Sequence, residues 1–95
     1  MVEYDKMKNK IEEVFINLGF QNVTINNMKY LNYKDYYCKV TFLKAWSAFV
    51  IESADNIRDA EKGILEDGDL YYTNISESQL LENIKKDIIS DYIND

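Results

Sequence analysis

The spacing of apolar side chains changes period twice along this chain, and no other feature constrains its architecture as much. Tyr4, Met7, Ile11, Val14, Phe15 and Leu18 recur at three- and four-residue steps, with Glu3, Asp5, Lys6, Lys8, Lys10, Glu12 and Glu13 at the other positions. That is a helix with one apolar stripe. Tyr36 to Leu43 alternates instead, with Cys38, Val40 and Phe42 on one side and Tyr37, Lys39, Thr41 and Leu43 on the other, as in a strand with one buried face. Past Ser76 the helical step returns through Leu81, Ile84, Ile88 and Tyr92. Helix, then strands, then helix again implies an α+β fold in which an antiparallel sheet is packed against helices.

Local signals place the boundaries. Gly19 follows the first stripe where a left-handed cap belongs, and Phe20 supplies the accompanying apolar contact, so the helix ends at Asn17 or Leu18. Phe20 to Leu31 reads as one strand with a bulge or kink near Asn27, because Asn26-Asn27 shifts the phase between Val23/Ile25 and Met28/Tyr30. Trp46 to Glu52 contains Phe49-Val50-Ile51 in succession, the mark of an interior strand covered on both faces or roofed by a helix. Leu31 to Asp35 and Lys44-Ala45 are the reversals. Ser53 or Asp55 caps a short helix to about Gly63, with Ala54, Ile57, Ala60 and Ile64 inward and Asp55, Arg58, Asp59 and Lys62 outward. Glu66-Asp67-Gly68-Asp69 reads as a turn, and Leu70-Tyr71-Tyr72-Thr73 as a β-prone piece able to add an edge strand. Ser76-Glu77-Ser78-Gln79 is a capping box and Ile75 with Leu80 a hydrophobic staple, so the last helix starts at Glu77. The expected architecture is a single domain over residues 1–95, a three- to four-stranded antiparallel sheet with its helices on one face.

The residue inventory removes most catalytic schemes. There is no histidine, so the side chain that titrates near neutral pH and ligates most transition metals is missing. Cys38 is the sole cysteine; it cannot form an intrachain disulfide, which fits a reducing compartment, and inside an alternating strand it reads as a small buried residue. Gly19, Gly63 and Gly68 are isolated, so no glycine-rich phosphate loop exists. Glu66, Asp67 and Asp69 share one turn, whereas paired catalytic carboxylates face each other across a cleft, and the turn lacks the ligand pattern of a calcium loop. The expectation is a protein that is not an enzyme and needs neither metal nor cofactor. No window approaches the ~20 apolar residues of a membrane span, and the N-terminus carries acids where a signal peptide carries lysines. A cytoplasmic protein, monomeric or weakly dimeric, is expected.

Charge supplies the functional clue. The net charge is −6, yet Met1 to Lys44 holds seven lysines against five acids, while Ala45 to Asp95 holds four basic residues against twelve acids. The excess peaks between Glu52 and Asp69, next to Tyr71-Tyr72. A concentrated negative surface steers toward a basic partner and away from nucleic acid or an anionic membrane, and tyrosines beside carboxylates have the composition of an interface anchor. Asp55, Asp59, Glu66, Asp67, Asp69, Tyr71 and Tyr72 are therefore the candidate partner-binding residues. In an alternating strand one of the two tyrosines points outward.

The run Phe49-Val50-Ile51-Glu52-Ser53-Ala54-Asp55, then Asp59-Ala60-Glu61, then Glu66-Asp67-Gly68-Asp69-Leu70-Tyr71 resembles the strand, helix and acidic-turn segment of small immunity proteins from bacterial polymorphic-toxin systems of the contact-dependent inhibition type. The resemblance covers about a quarter of the chain. It implies a single-domain cytoplasmic protein that binds a cognate toxin domain, often a basic nuclease, and covers its active site. An alternative is a phage or mobile-element inhibitor that mimics nucleic-acid charge against a host nuclease; a third reading is a small enzyme using acidic residues. The first helix is close to charge-balanced, which favours a one-sided protein interface over two-sided charge mimicry.

Overall fold

Helix α1, Tyr4–Asn17, stops where its backbone bonds switch register. The Phe20 N–H donates to the Phe15 carbonyl at 3.0 Å and the Gly19 N–H to the Ile16 carbonyl at 3.0 Å, the paired bonds of a Schellman cap. Gly19 takes φ +110°, a value that side chains disfavour. The Phe15 and Phe20 rings meet edge to face at 4.9 Å, closing the cap with the expected apolar contact. The computed structural model describes residues 4–94; Met1, Val2 and Glu3 of the N-terminal reading, and Asp95, lie outside the described residues.

Among the described residues the sheet is an antiparallel meander of five strands in the order β1 to β5. The segment read as one bulged strand is two strands, β1 Gln21–Ile25 and β2 Met28–Tyr33, folded back on each other. Asn26 and Asn27 both have positive φ, 52° and 65°, which is the two-residue hairpin turn whose twist matches its strands. A second tight turn at Lys34-Asp35, with Lys34 at φ 53°, leads into β3, Tyr36–Leu43. It lies at the end of the reversal expected over Leu31 to Asp35, because β2 continues through Tyr33. One 3-10 turn, Lys44–Trp46, and Ser47 in the left-handed region connect β3 to β4, Ala48–Ala54. Helix α2 is Ile57–Lys62. Its cap is Asn56 rather than Ser53 or Asp55: the Asn56 side chain accepts from the Asp59 N–H at 2.8 Å. Ser53 belongs to β4, where it faces Cys38.

Strand β5, Glu66–Tyr72, follows on the far side of β4, so the acidic run is strand, not turn. Helix α3, Glu77–Ile88, starts as expected, with Ser76 accepting from the Gln79 N–H at 3.2 Å. The box closes on one side only, since the Gln79 amide turns forward to Asn83 at 2.8 Å. A π-helical turn, Ile89–Ile93, extends α3.

The α+β class holds, with a fifth strand and with α2 set apart from the other helices. Tyr30 and Leu31 are adjacent in β2 and enter different cores, because neighbouring strand residues face opposite sides. Leu31, Cys38, Val40, Phe49 and Ile51 pack with Met7, Ile11 and Phe15 of α1 and Leu80, Ile84 and Ile88 of α3. On the other face Tyr30 and Ala54 pack with Ala60 of α2, and the Tyr30 hydroxyl donates to the Ala60 carbonyl at 3.2 Å. The Asn26 amide donates to the Glu61 carbonyl at 2.8 Å and ties the first hairpin to α2. Ala60 is the one buried residue of α2; Ile57 and Ile64, expected inward, are 52% and 54% exposed, because so short a helix rests on the sheet through one position. The major core dominates stability, since burying a single large apolar side chain such as Phe15 or Phe49 contributes about 1.5–3 kcal/mol.

Candidate functional site

A bulge brings the acidic run onto the sheet edge. Val50 faces Leu70 and Glu52 faces Asp67, so Gly68 and Asp69 together oppose Ile51. Glycine is required there by contact: a Cβ on Gly68 would sit 2.9 Å from the Ile51 carbonyl oxygen. The extra residue lets Asp67 share a face with Glu52 while Asp69 comes to the side of Tyr71.

Beyond the bulge the strand alternates, and this separates the two tyrosines. Tyr71 faces Phe49 and packs on the major core, where its hydroxyl donates to Asp87 Oδ2 of α3 at 2.7 Å. Burial raises the Tyr71 pKa well above that of a free phenol, and the Asp87 hydrogen bond and the negative charges of Asp87, Asp69 and Asp91 raise it further. The phenol stays protonated and keeps donating. Tyr72 points to the opposite face, is 46% exposed, and shares a depression of about 360 Å³ with Trp46. Trp46, 62% exposed, stands on a turn pinned to the end of β5, where the Thr73 N–H donates to the Ser47 carbonyl at 3.0 Å and the two hydroxyls meet at 2.7 Å.

The seven candidate residues divide among three places. Asp55, Asp59 and Glu66 line a depression of about 230 Å³ with Tyr36 and Ser53, and the Asn56 amide holds the first two by donating to Asp55 Oδ1 at 2.8 Å and Asp59 Oδ2 at 3.2 Å. Asp69 and Tyr71 border a groove of about 660 Å³ between β5 and α3, whose far wall is Asn83, Lys86 and Asp87. Asp67 and Tyr72 belong to the face that α1 and α3 leave uncovered, and Tyr72 also reaches the rim of that groove. Among the described residues none of the five carboxylates forms a salt bridge, whereas Lys10 pairs with Glu77 at 2.8 Å and Lys29 with Glu12 at 3.8 Å. Asp87, Asp91 and Trp46 carry no signal in the sequence that marks them as neighbours of this surface. Asp87 and Asp91 lie one helical turn apart, a spacing indistinguishable from a solvated helix face until β5 is placed beside it.

Chemically the arrangement presents charge and aromatic surface. Among the described residues no group of three or more acidic or cysteine side chains is arranged to hold a metal ion. Cys38 is fully buried, and burial pushes its thiol up to about 12, a rise that its hydrogen bond with Tyr92 offsets in part, so it forms little of the thiolate a nucleophile requires. Burial likewise raises the Tyr92 phenol, whose hydroxyl also bonds Ser53. No protein-family model, curated protein or solved structure matches this chain.

Proposed function

We propose that this protein is a non-catalytic acidic binding protein that neutralises a basic toxin domain by direct contact, in the manner of an immunity protein. The observation that carries the reading is the display of Glu66, Asp67 and Asp69 along an exposed strand, without an ion-pair partner among the described residues, and flanked by Asp55 and Asp59. Unneutralised carboxylates on a rigid edge accelerate encounter with a cationic surface, and Tyr72 is the ring such a surface can bury after encounter. The same charge repels phosphate and so argues against nucleic acid as the ligand. No helix among the described residues is long and apolar enough to cross a membrane. In this reading the protein acts in the cytoplasm, as a monomer or weak homodimer, on the toxin entering or made in its own cell.

Co-purification from the native host, followed by surface plasmon resonance on the captured partner, tests it. Asp55→Lys with Asp59→Lys should mainly slow association and flatten its salt dependence, whereas Tyr72→Ala should mainly speed dissociation. Capture of an acidic protein, or binding that survives these changes and is lost on altering α1, would refute the reading. Capture of a host nuclease with no toxin activity would favour charge mimicry instead.

A further inference from the structure

Residues 68–72 of β5 are consecutive, and all five line the large groove. Strand side chains alternate between faces, so a run of neighbours borders one groove only along the edge of the strand. Among the described residues that edge is open: β5 is the last strand of the sheet and pairs with β4 alone. The Thr73 N–H bonds the Ser47 carbonyl across to the β4 side, and antiparallel alternation then turns the amides and carbonyls of Leu70 and Tyr72 away from β4. The opposite wall is α3, through Asn83, Lys86 and Asp87. An unpaired strand edge facing a helix across a groove is the geometry in which an extended peptide adds to a sheet.

Charge selects the occupant. β5 contains Glu66, Asp67 and Asp69 and no basic residue, and α3 adds Asp87 beside Lys86. Two copies pairing edge to edge would bring carboxylates against carboxylates, which opposes self-association, whereas lysine or arginine on an incoming strand would be attracted. We propose that β5 and α3 form a strand-docking groove that takes an extended, lysine- or arginine-bearing segment of a protein partner as a sixth strand. The proposal rests on the neutralisation reading for the partner's basic character and adds the mode of contact.

The probe is a synthetic heptapeptide of alternating lysine and valine, beside an equally charged control in which the central valine is proline. With isotope-labelled full-length protein at low salt, the alternating peptide should slow amide exchange at Leu70 and Tyr72 about tenfold or more, and the proline control should bind about tenfold more weakly, as loss of backbone bonds requires. Leu70→Pro removes an outward N–H and no ladder bond, so it should weaken binding about tenfold, the equivalent of one good hydrogen bond, with the circular dichroism spectrum unchanged. If that variant does not fold, exchange in the wild-type protein decides alone. Equal binding of the two peptides, protection elsewhere, or no binding at all overturns the groove. A captured basic toxin that leaves Leu70 and Tyr72 exchanging at their free rates overturns the groove and spares the neutralisation reading; peptide docking with no basic partner in the host does the reverse.

Discussion

Replacing Gly68 with alanine should destabilise the protein by about 1–2 kcal/mol, and the cost should come from a single contact. The new Cβ would lie 2.9 Å from the Ile51 carbonyl oxygen, against 3.4 Å or more for ordinary contact, so β4 and β5 must separate by about half an ångström at the bulge. Both atoms' positions are set by backbone, and no side chain can rotate away. Overpacking of this kind costs about 1–3 kcal/mol, and the smaller unfolded-state entropy of alanine returns about 0.4–1 kcal/mol. Gly68 does not have positive φ, so no left-handed penalty enters. In urea, with a slope of about 1 kcal/mol/M for a small domain, the midpoint should fall by about 1–2 M. If Asp67-Gly68 were an open turn, the substitution would be neutral or mildly stabilising. A midpoint at or above that of the wild type would refute the bulge and, with it, the placement of the acidic run on the sheet edge.

Three further outcomes follow from local chemistry. Ser76→Ala should cost about 0.5–1 kcal/mol, toward the low end for a cap because Gln79 does not complete the box, while Ser78→Ala, inside the first turn, should change stability by only about a few tenths; equal effects in denaturant melts would move the helix boundary. Stability should hold below pH about 9 and decline as pH rises toward about 12, because burial pushes the folded Cys38 thiol up to about 12 from its ordinary 9.0, so the unfolded chain loses its proton first. Tyr71 and Tyr92 shift in the same direction and steepen the loss; Cys38→Ala should flatten the early part of the decline in urea melts at stepped pH. Fluorescence titration with DNA or RNA at low salt should show no binding, and tight, salt-sensitive binding would overturn the electrostatic argument.

Where a feature depends on neighbours in sequence, the residues alone determined it. The end of α1 at Asn17, the limits of β3 at Tyr36 and Leu43, and the start of α3 at Glu77 follow from a Schellman glycine, strict alternation and a serine cap, each completed within a few residues. The concentration of acid after Glu52 and the opposed directions of Tyr71 and Tyr72 were legible for the same reason. Pairing decided the rest. Asn26-Asn27 suits a kink or a hairpin equally, and only the match of Val23 to Tyr30 makes it a turn. Asp67-Gly68 has turn chemistry, yet a bulge opposite Ile51 also needs glycine, and which one forms depends on whether β4 offers an edge. Alternation says that Tyr71 and Tyr72 part company but not which of them α3 covers. Nor can it show that Asp87 and Asp91 join Asp69 around Tyr71, because charges on a helix and on a strand meet only when packing sets the one against the other.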